Sequence, residues 1–203
     1  MESFYSFIES AAFRVGRNTI EIERDRMFLD GVQCTVEDLP LKFGSQKEYS
    51  IVMSKNDDDH REFRVQLRDA KIIFHFARHF LHIKVRGAPT DFADAVGLLG
   101  DYSTGAMLGR DGNPRSVFQD FAFEWQVAPE DPKLFREQRA PQLPHEKCRM
   151  PSPSTSRKML RNNGELMDQA KVACASAGHV RKHFDLCVQD IVATGYFGLA
   201  DAW

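Results

Sequence analysis

Short apolar runs separated by turn residues dominate the chain from Thr19 to Val127. The runs are TIEIE, RMFLDGVQ, EYSIVMS, REFRVQL, KIIFHFA and HFLHIKV. Several of them alternate apolar and polar positions with a period of two, and Phe, Ile and Val are favoured in pleated, half-buried strands. The pattern predicts a β-rich region with turns at Asp30-Gly31, at Asn56 to Asp59 and near Arg78.

The pattern changes after Val127. Most of the nine prolines lie between Ala128 and Ser156. Because proline cannot donate to a sheet ladder and breaks helices, this segment is predicted to be a connector, and its basic character indicates a solvated linker.

Helical periodicity begins after Gly164. Apolar residues repeat at i, i+4, i+7 and i+11, and Gly178 and Gly195 occupy positions typical of helix C-caps. The residues that carry the period are Leu166, Ala170, Ala173 and Ala177, then Val180, Phe184, Cys187 or Val188, and Ile191. We therefore predict an α+β fold: an antiparallel β-sandwich-like domain over residues 1–127, a connector over 128–163 and a small helical hairpin over 164–203.

Composition narrows the classes of function. The 27 basic and 29 acidic side chains give a formal charge of -2, which provides no overall electrostatic case for binding nucleic acid or an anionic membrane. No apolar run reaches the roughly 18 residues that span a bilayer. The first residues carry Glu2 and Glu9, so the chain as written shows no export signal.

The stretch GLLGDYSTGAMLGRDG, from Gly97 to Gly112, is the strongest local motif. Gly100 and Gly105 have the glycine spacing of a phosphate-binding P-loop, but Ala106 and Met107 stand where that loop needs Lys and Ser or Thr. The glycines of a structural corner would be Gly97, Gly100, Gly105 and Gly112, since glycine adopts left-handed turn conformations readily.

Polar residues of this stretch suggest two further kinds of site. Ser103 could act as the nucleophile of a small serine hydrolase, although Asp101 replaces the first glycine of the usual G-x-S-x-G turn. Asp101, Ser103 and Asp111 could also hold a hard cation such as Ca²⁺, since such ions accept carboxylate, hydroxyl and carbonyl oxygens. The simpler interpretation is that these residues shape two turns.

Three histidines in KIIFHFARHFLHIKV raise the question of a metal- or ligand-binding β domain. His75, His79 and His82 would share a face on a helix, but the alternating apolar residues favour two strands that turn near Arg78. Partly exposed strand histidines are the simpler interpretation.

The order of motifs resembles the von Willebrand factor type D domain. GLLGDYSTGAMLGRDGN followed by FQDFAFEWQV is similar to the end of that domain, where a Gly-Leu-Cys-Gly-Asn turn leads to a Phe-Gly-x-x-Trp segment. VACASAGHVRKHFDLCVQDIVATG is similar to the cysteine-rich helical module that often follows it. In that module, a Cys-x-x-Asp-hydrophobic-x-Ala-Thr-Gly pattern is matched by Cys187, Asp190, Ala193, Thr194 and Gly195.

The sequence also departs from the pattern of that family. Leu99 and Asp101 replace the Cys and Asn of the family's turn, and the Gly-Asp-Pro-His segment that opens the domain is absent. These departures suggest a chain that begins partway into the domain. They also weaken the expected Ca²⁺ site, to which only Asp101 and its loop neighbours carry over.

The resemblance implies a secreted, non-catalytic adhesion or interaction module, located outside the cell or at the cell surface, with a protein, matrix or glycan partner. It implies a disulfide between Cys174 and Cys187, while Cys34 and Cys148 either pair or stay free. The corner would pack against a core made of Leu98, Leu99, Phe121, Phe123 and Trp125, whose alternation is typical of strands.

Overall fold

The structure, a computed structural model, describes residues 8–93, 95, 97, 98, 100–128, 130–137, 164–177 and 181–203. Within these residues the strands form two antiparallel sheets of four and five strands, each in sequence order. The four-stranded sheet contains Ala11–Val15 (β1), Asn18–Ile22 (β2), Met27–Leu29 (β3) and Val32–Cys34 (β4). The five-stranded sheet contains Leu41–Phe43 (β5), Tyr49–Asn56 (β6), His60–Leu67 (β7), Ala70–Ala77 (β8) and Phe80–Arg86 (β9).

Helical segments follow the sheets. The α-helices are Phe118–Glu124 (α1), Gly164–Ala173 (α2) and Arg181–Thr194 (α3). Short 3-10 helices lie at Val36–Asp38, Pro89–Phe92, Cys174–Ala177 and Phe197–Ala202. The predicted α+β fold, with a sandwich-like β region followed by a helical hairpin, is confirmed.

The main core lies between the two sheets. Alternate residues of each strand point into it, as a half-buried pleated strand requires. The ring of Phe13 in β1 stacks on that of Phe74 in β8 with 5.4 Å between centroids. The buried members are Ile20, Ile22, Met27, Phe43, Ile51, Phe63, Val65, Phe74, Phe76 and Leu81. The opposite face of the five-stranded sheet, which we call the outer face, is the one that positions the candidate sites.

Turn chemistry places the strands where the sequence predicts them. Asp30 and Gly31 have φ of 52° and 79°, as a two-residue turn between antiparallel strands requires. The Asp30 carboxylate accepts hydrogen bonds from the Thr19 amide and the Asn18 side chain, both at 2.7 Å. Arg78, with φ of 54°, turns the chain between β8 and β9.

The helical segments build a second, smaller core. Cys174 and Cys187 are fully buried in it, together with Ala170 and Ile191 at 0% exposure. Ala77, at the end of β8, belongs to the same cluster, so the helical module packs on the outer face of the five-stranded sheet. Gly195 ends α3 with φ of 70°, as predicted for a C-cap glycine.

Two expectations about the β region are wrong. The predicted strands begin at Thr19, whereas β1 pairs with β2 from Ala11 onward. The segment FQDFAFEWQV, expected to alternate as a strand, instead contains the helix α1. Its amides at Phe121 and Trp125 donate to carbonyls four residues earlier, which is the helical pattern. Phe121 is buried as predicted, but the side chain of Leu98 is 58% exposed rather than in a core. Leu99 lies outside the described residues.

Candidate functional site

The glycine-rich stretch is a series of tight turns. Gly97, Gly100, Gly105 and Gly112 all have positive φ, of 143°, 74°, 69° and 79°. At Gly100 a Cβ atom would lie 2.5 Å from the carbonyl oxygen of Ala106, so this turn also needs glycine for space. The backbone closes on itself through bonds from Asp101 to Ala106 and from Gly105 to Asp101.

The carboxylates of this stretch already accept hydrogen bonds from other groups of the protein. Asp101 accepts hydrogen bonds from the amide and hydroxyl of Thr104, at 2.7 and 3.0 Å, and these bonds lower the pKa of the carboxyl. Asp111 accepts bonds from the side chain and amide of Asn113 and from Arg115, which lower its pKa to about 2. A cation at Asp111 would compete with the Arg115 guanidinium. The described residues include no cluster of three metal-ligating side chains.

Ser103 has no catalytic partner in the described part of the chain. Its side chain is exposed, and no hydrogen bond joins it to a histidine. His75, the buried candidate base, instead lies in β8 with its Nδ1 atom 3.6 Å from Oε2 of Glu62. Among the described residues, Ser103 is therefore not bonded to a catalytic base.

An ion-pair network that sequence reasoning missed joins the stretch to α1. Arg115 contacts Glu124 at 2.8 Å, and Glu124 also accepts the amide of Arg110 at 2.7 Å. Arg110 in turn pairs with Asp131 at 2.8 Å and lies over the ring of Trp125. These charges are neutralised within the protein, which indicates a structural role. Spacing along the chain offers no signal for such pairs.

The disulfide between Cys174 and Cys187 is present, as predicted. The Cα atoms are 6.0 Å apart, and the bridge joins the 3-10 helix after α2 to the middle of α3. Cys34 is a free thiol whose Sγ atom lies 3.6 Å from the Val32 carbonyl oxygen. Cys148 lies outside the described residues.

The strands separate the three predicted histidines. His75 and His82 are register partners on β8 and β9, whereas His79 is exposed in the turn between them. Burial lowers the pKa of His75 and, with help from the Lys84 charge, lowers the pKa of His82 to about 4. The Nε2 atom of His75 is buried without a hydrogen-bond partner among the described residues.

A fourth histidine, His60, connects this group to the helical module. Its Nδ1 atom lies 3.3 Å from Asp57, and its Nε2 atom lies 3.2 Å from the carbonyl oxygen of Gly198. The Tyr196 hydroxyl is 3.4 Å from the same Nε2 atom, and the His60 and His75 rings are 5.6 Å apart. These rings form a polar seam under the 3-10 helix Phe197–Ala202. Sequence reasoning missed it because Gly198 is 138 residues away.

The helical module occupies only one end of the outer face. The next two rows of cross-strand partners on that face lie beyond the histidine row and contain no carboxylate. One row is Val52, Arg64, Ile73 and Lys84, and the other is Lys42, Ser50, Gln66, Lys71 and Arg86. We call these two rows the basic half-face.

One cavity lies beside the four-stranded sheet, and it is small. It measures about 140 Å³, whereas sites for drug-sized ligands are typically 300–1,000 Å³. Residues 133–136 cover it by crossing the four-stranded sheet, and the Arg136 amide donates to the buried Glu21 carboxylate at 3.0 Å. The lining residues are Thr19, Glu21, Phe28, Gly31, Lys133, Leu134, Phe135 and Arg136.

Comparison with known proteins gives no relative. No protein-family model matches the chain, and neither a curated protein nor a solved structure matches it at a significant level. Among the described helices, none has the length and apolar content needed to cross a membrane.

Proposed function

We propose that the chain is a non-catalytic interaction module of the von Willebrand factor D type, which works outside the cell or at its surface. The observation that carries the proposal is the buried disulfide between Cys174 and Cys187. Disulfides of this structural kind persist in oxidising compartments and are rare where glutathione keeps thiols reduced.

The arrangement around the bridge supports a structural use of these cysteines. Both sulfur atoms lie in an apolar cluster, with Ala170, Ile191 and Leu199 among the neighbours. Buried cysteines of this kind are inert, whereas redox-active ones are exposed beside positive charge. The bridge therefore stabilises the module that packs on the sheet.

Polar groups elsewhere support a role in binding rather than in catalysis. The carboxylates near Ser103 are engaged in turns, and the cavity beside Glu21 is too small for an ordinary substrate. By contrast, the outer face presents a continuous surface with its own charge pattern. A partner among proteins, matrix components or glycans is the class that such a surface serves.

The redox state of the cysteines in living cells tests the proposed location. Free thiols are trapped with a maleimide during lysis in denaturant, and the protein is then reduced, labelled with a second reagent and mapped by mass spectrometry. We expect Cys174 and Cys187 to carry only the second label. If both carry the first label, the chain resides in a reducing compartment and the proposal is overturned.

Stabilisation by Ca²⁺ is a separate part of the proposal and rests on the resemblance alone. An ion at Asp101 would have to share the carboxylate with Thr104. Unfolding midpoints with and without Ca²⁺ test it, since a ligand that binds only the folded state raises the midpoint. A rise that Asp101→Ala abolishes supports the site, whereas equal midpoints overturn it.

A further inference from the structure

The basic half-face concentrates positive charge on a chain whose formal net charge is -2. Its cations are Lys42 on β5, Arg64 on β7, Lys71 on β8, and Lys84 and Arg86 on β9. All of them alternate with core residues of the same strands, so their side chains lie on the outer face. Lys42 and Arg86 are exposed, and the other three are half-buried.

Among the described residues, Lys42, Lys71, Lys84 and Arg86 form no ion pair with a side-chain carboxylate, whereas Arg64 pairs with Glu62 at 3.2 Å. Lys71 and Arg86 are direct cross-strand partners, an arrangement of like charges that destabilises a sheet. Neither side chain forms an ion pair with any residue in the described part of the chain. Lys84 donates to the main-chain oxygen of Trp203 at 3.1 Å.

Several carboxylates near the half-face are already engaged, whereas Asp69 lies exposed in the turn before Lys71. Glu62, in the adjoining row, accepts hydrogen bonds from Ser54 and Arg64 and lies 3.6 Å from His75. In the turns beyond the other row, Glu48 accepts the Gln46 amide and Asp91 accepts the Ala88 amide. Among the described residues, Lys42, Lys71 and Arg86 are therefore left without a paired carboxylate, so an anion from outside could pair with them.

The dimensions favour a long anion over a small one. Neighbouring strands lie about 4.8 Å apart, so the row from Lys42 to Arg86 crosses four strand spacings, or about 19 Å. The cations stand on a pleated surface without an enclosing cavity. A single phosphate could contact only one end of this row, whereas a linear polymer could follow it.

We infer that the basic half-face binds a linear sulfated polysaccharide. The inference rests on the proposed function, because such a polymer would meet the chain outside the cell, where the disulfide also belongs. The same location disfavours a nucleic acid as the partner. A peptide usually binds through apolar side chains that pack into an apolar surface. The half-face contains only two apolar residues, Val52 and Ile73, and Ile73 is buried, so a peptide is disfavoured.

Binding of a fluorescent heparin octasaccharide to the full chain tests the inference. The variant Lys71→Glu with Arg86→Glu is compared with Arg14→Glu and Arg17→Glu, which make the same charge change on exposed residues of β1 and its turn. We expect the first variant to lose at least tenfold in affinity and the control to change less than threefold. The dependence of log Kd on log salt should also become shallower for the first variant, as fewer counterions are released.

A second variant keeps the experiment interpretable if charge reversal disturbs folding. Lys71→Gln with Arg86→Gln relieves the like-charge pair, so it is expected to fold at least as well as the parent chain and still to bind more weakly. Circular dichroism and the unfolding midpoint confirm that each variant is folded.

Three outcomes overturn the inference. The first is no binding of the octasaccharide at low salt. The second is equal loss in half-face and control variants, which places the polyanion on another part of the chain. The third is equal affinity for a poly-glutamate peptide of matched charge, which points to an acidic protein partner. None of them bears on the compartment, which the thiol-trapping experiment decides independently.

Discussion

The bridge between Cys174 and Cys187 gives a prediction whose magnitude follows from its place in the chain. The two cysteines are 13 residues apart, and a loop of about this length removes enough entropy from the unfolded chain to stabilise the fold by about 3 kcal/mol. For a chain of 150–250 residues, each 1 kcal/mol shifts Tm by about 2–4 °C. Reduction of the bridge should therefore lower Tm by about 6–12 °C.

Thermal unfolding followed by circular dichroism at 222 nm measures this shift, with reduction confirmed by mass spectrometry. Reduction is preferable to mutation alone, because both sulfur atoms remain in the buried cluster. The variant Cys174→Ala with Cys187→Ala is the control, and reductant should leave its Tm unchanged. If the fully reduced chain unfolds within about 1 °C of the oxidised chain, the bridge does not constrain the unfolded state as argued here.

Other predictions concern buried charge and turn geometry. Burial raises the pKa of Asp190 to about 6, so its contribution to stability is lost as pH rises from about 4 to about 6, and Asp190→Asn should stabilise the chain at pH 7.5. Because solvent still reaches this carboxyl, we expect a gain of about 1 kcal/mol in urea unfolding; a loss would contradict it. His82 has a lowered pKa of about 4, so stability should fall as pH drops from about 6.5 towards 4, and His82→Gln should flatten that decline. Gly105→Ala should cost about 1–2 kcal/mol from its positive φ alone, and Gly100→Ala should cost more, since its Cβ would also meet Ala106; equal costs would refute the contact.

The elements that the sequence predicts correctly are those specified by local chemistry. The turn at Asp30-Gly31 and the C-cap at Gly195 require positive φ, which particular residues adopt more readily than others. The helical hairpin follows from a period that only a helix satisfies over this length. The bridge between Cys174 and Cys187 came instead from the resemblance, whose family motif includes the second cysteine.

The missed elements are those in which local signals compete or tertiary contacts decide. The segment FQDFAFEWQV satisfies a strand period, but Phe118, Phe121 and Trp125 also repeat at i, i+3 and i+7, which is a helical spacing. β1 is short and only partly buried, so its apolar pattern is weak. Its strand conformation depends more on pairing with β2 than on that pattern. The seam at His60 depends on a contact with Gly198, and no periodicity reports such a contact.

The outer face of the five-stranded sheet shows why its two halves differ. Along β9 the residues on this face run from Phe80 and His82, beside the helical module, to Lys84 and then Arg86. Burial disfavours a charge, and a histidine can lose its charge near neutral pH whereas an arginine cannot. The pKa of Lys84 is lowered, first by burial and then by the charge of Arg86. Lys84 therefore lies at the boundary between the covered end of the sheet and the open, basic end.

The same gradient appears on β8, where Ala77 and His75 lie at the covered end and Lys71 lies at the open end. If a segment without carboxylates covered the open end, it would remove water from the cations there. That desolvation costs several kcal/mol per ion. Only an anionic partner avoids that cost. The charge pattern thus explains where the helical module stops, and it separates the part of the sheet used for stability from the part that we assign to binding.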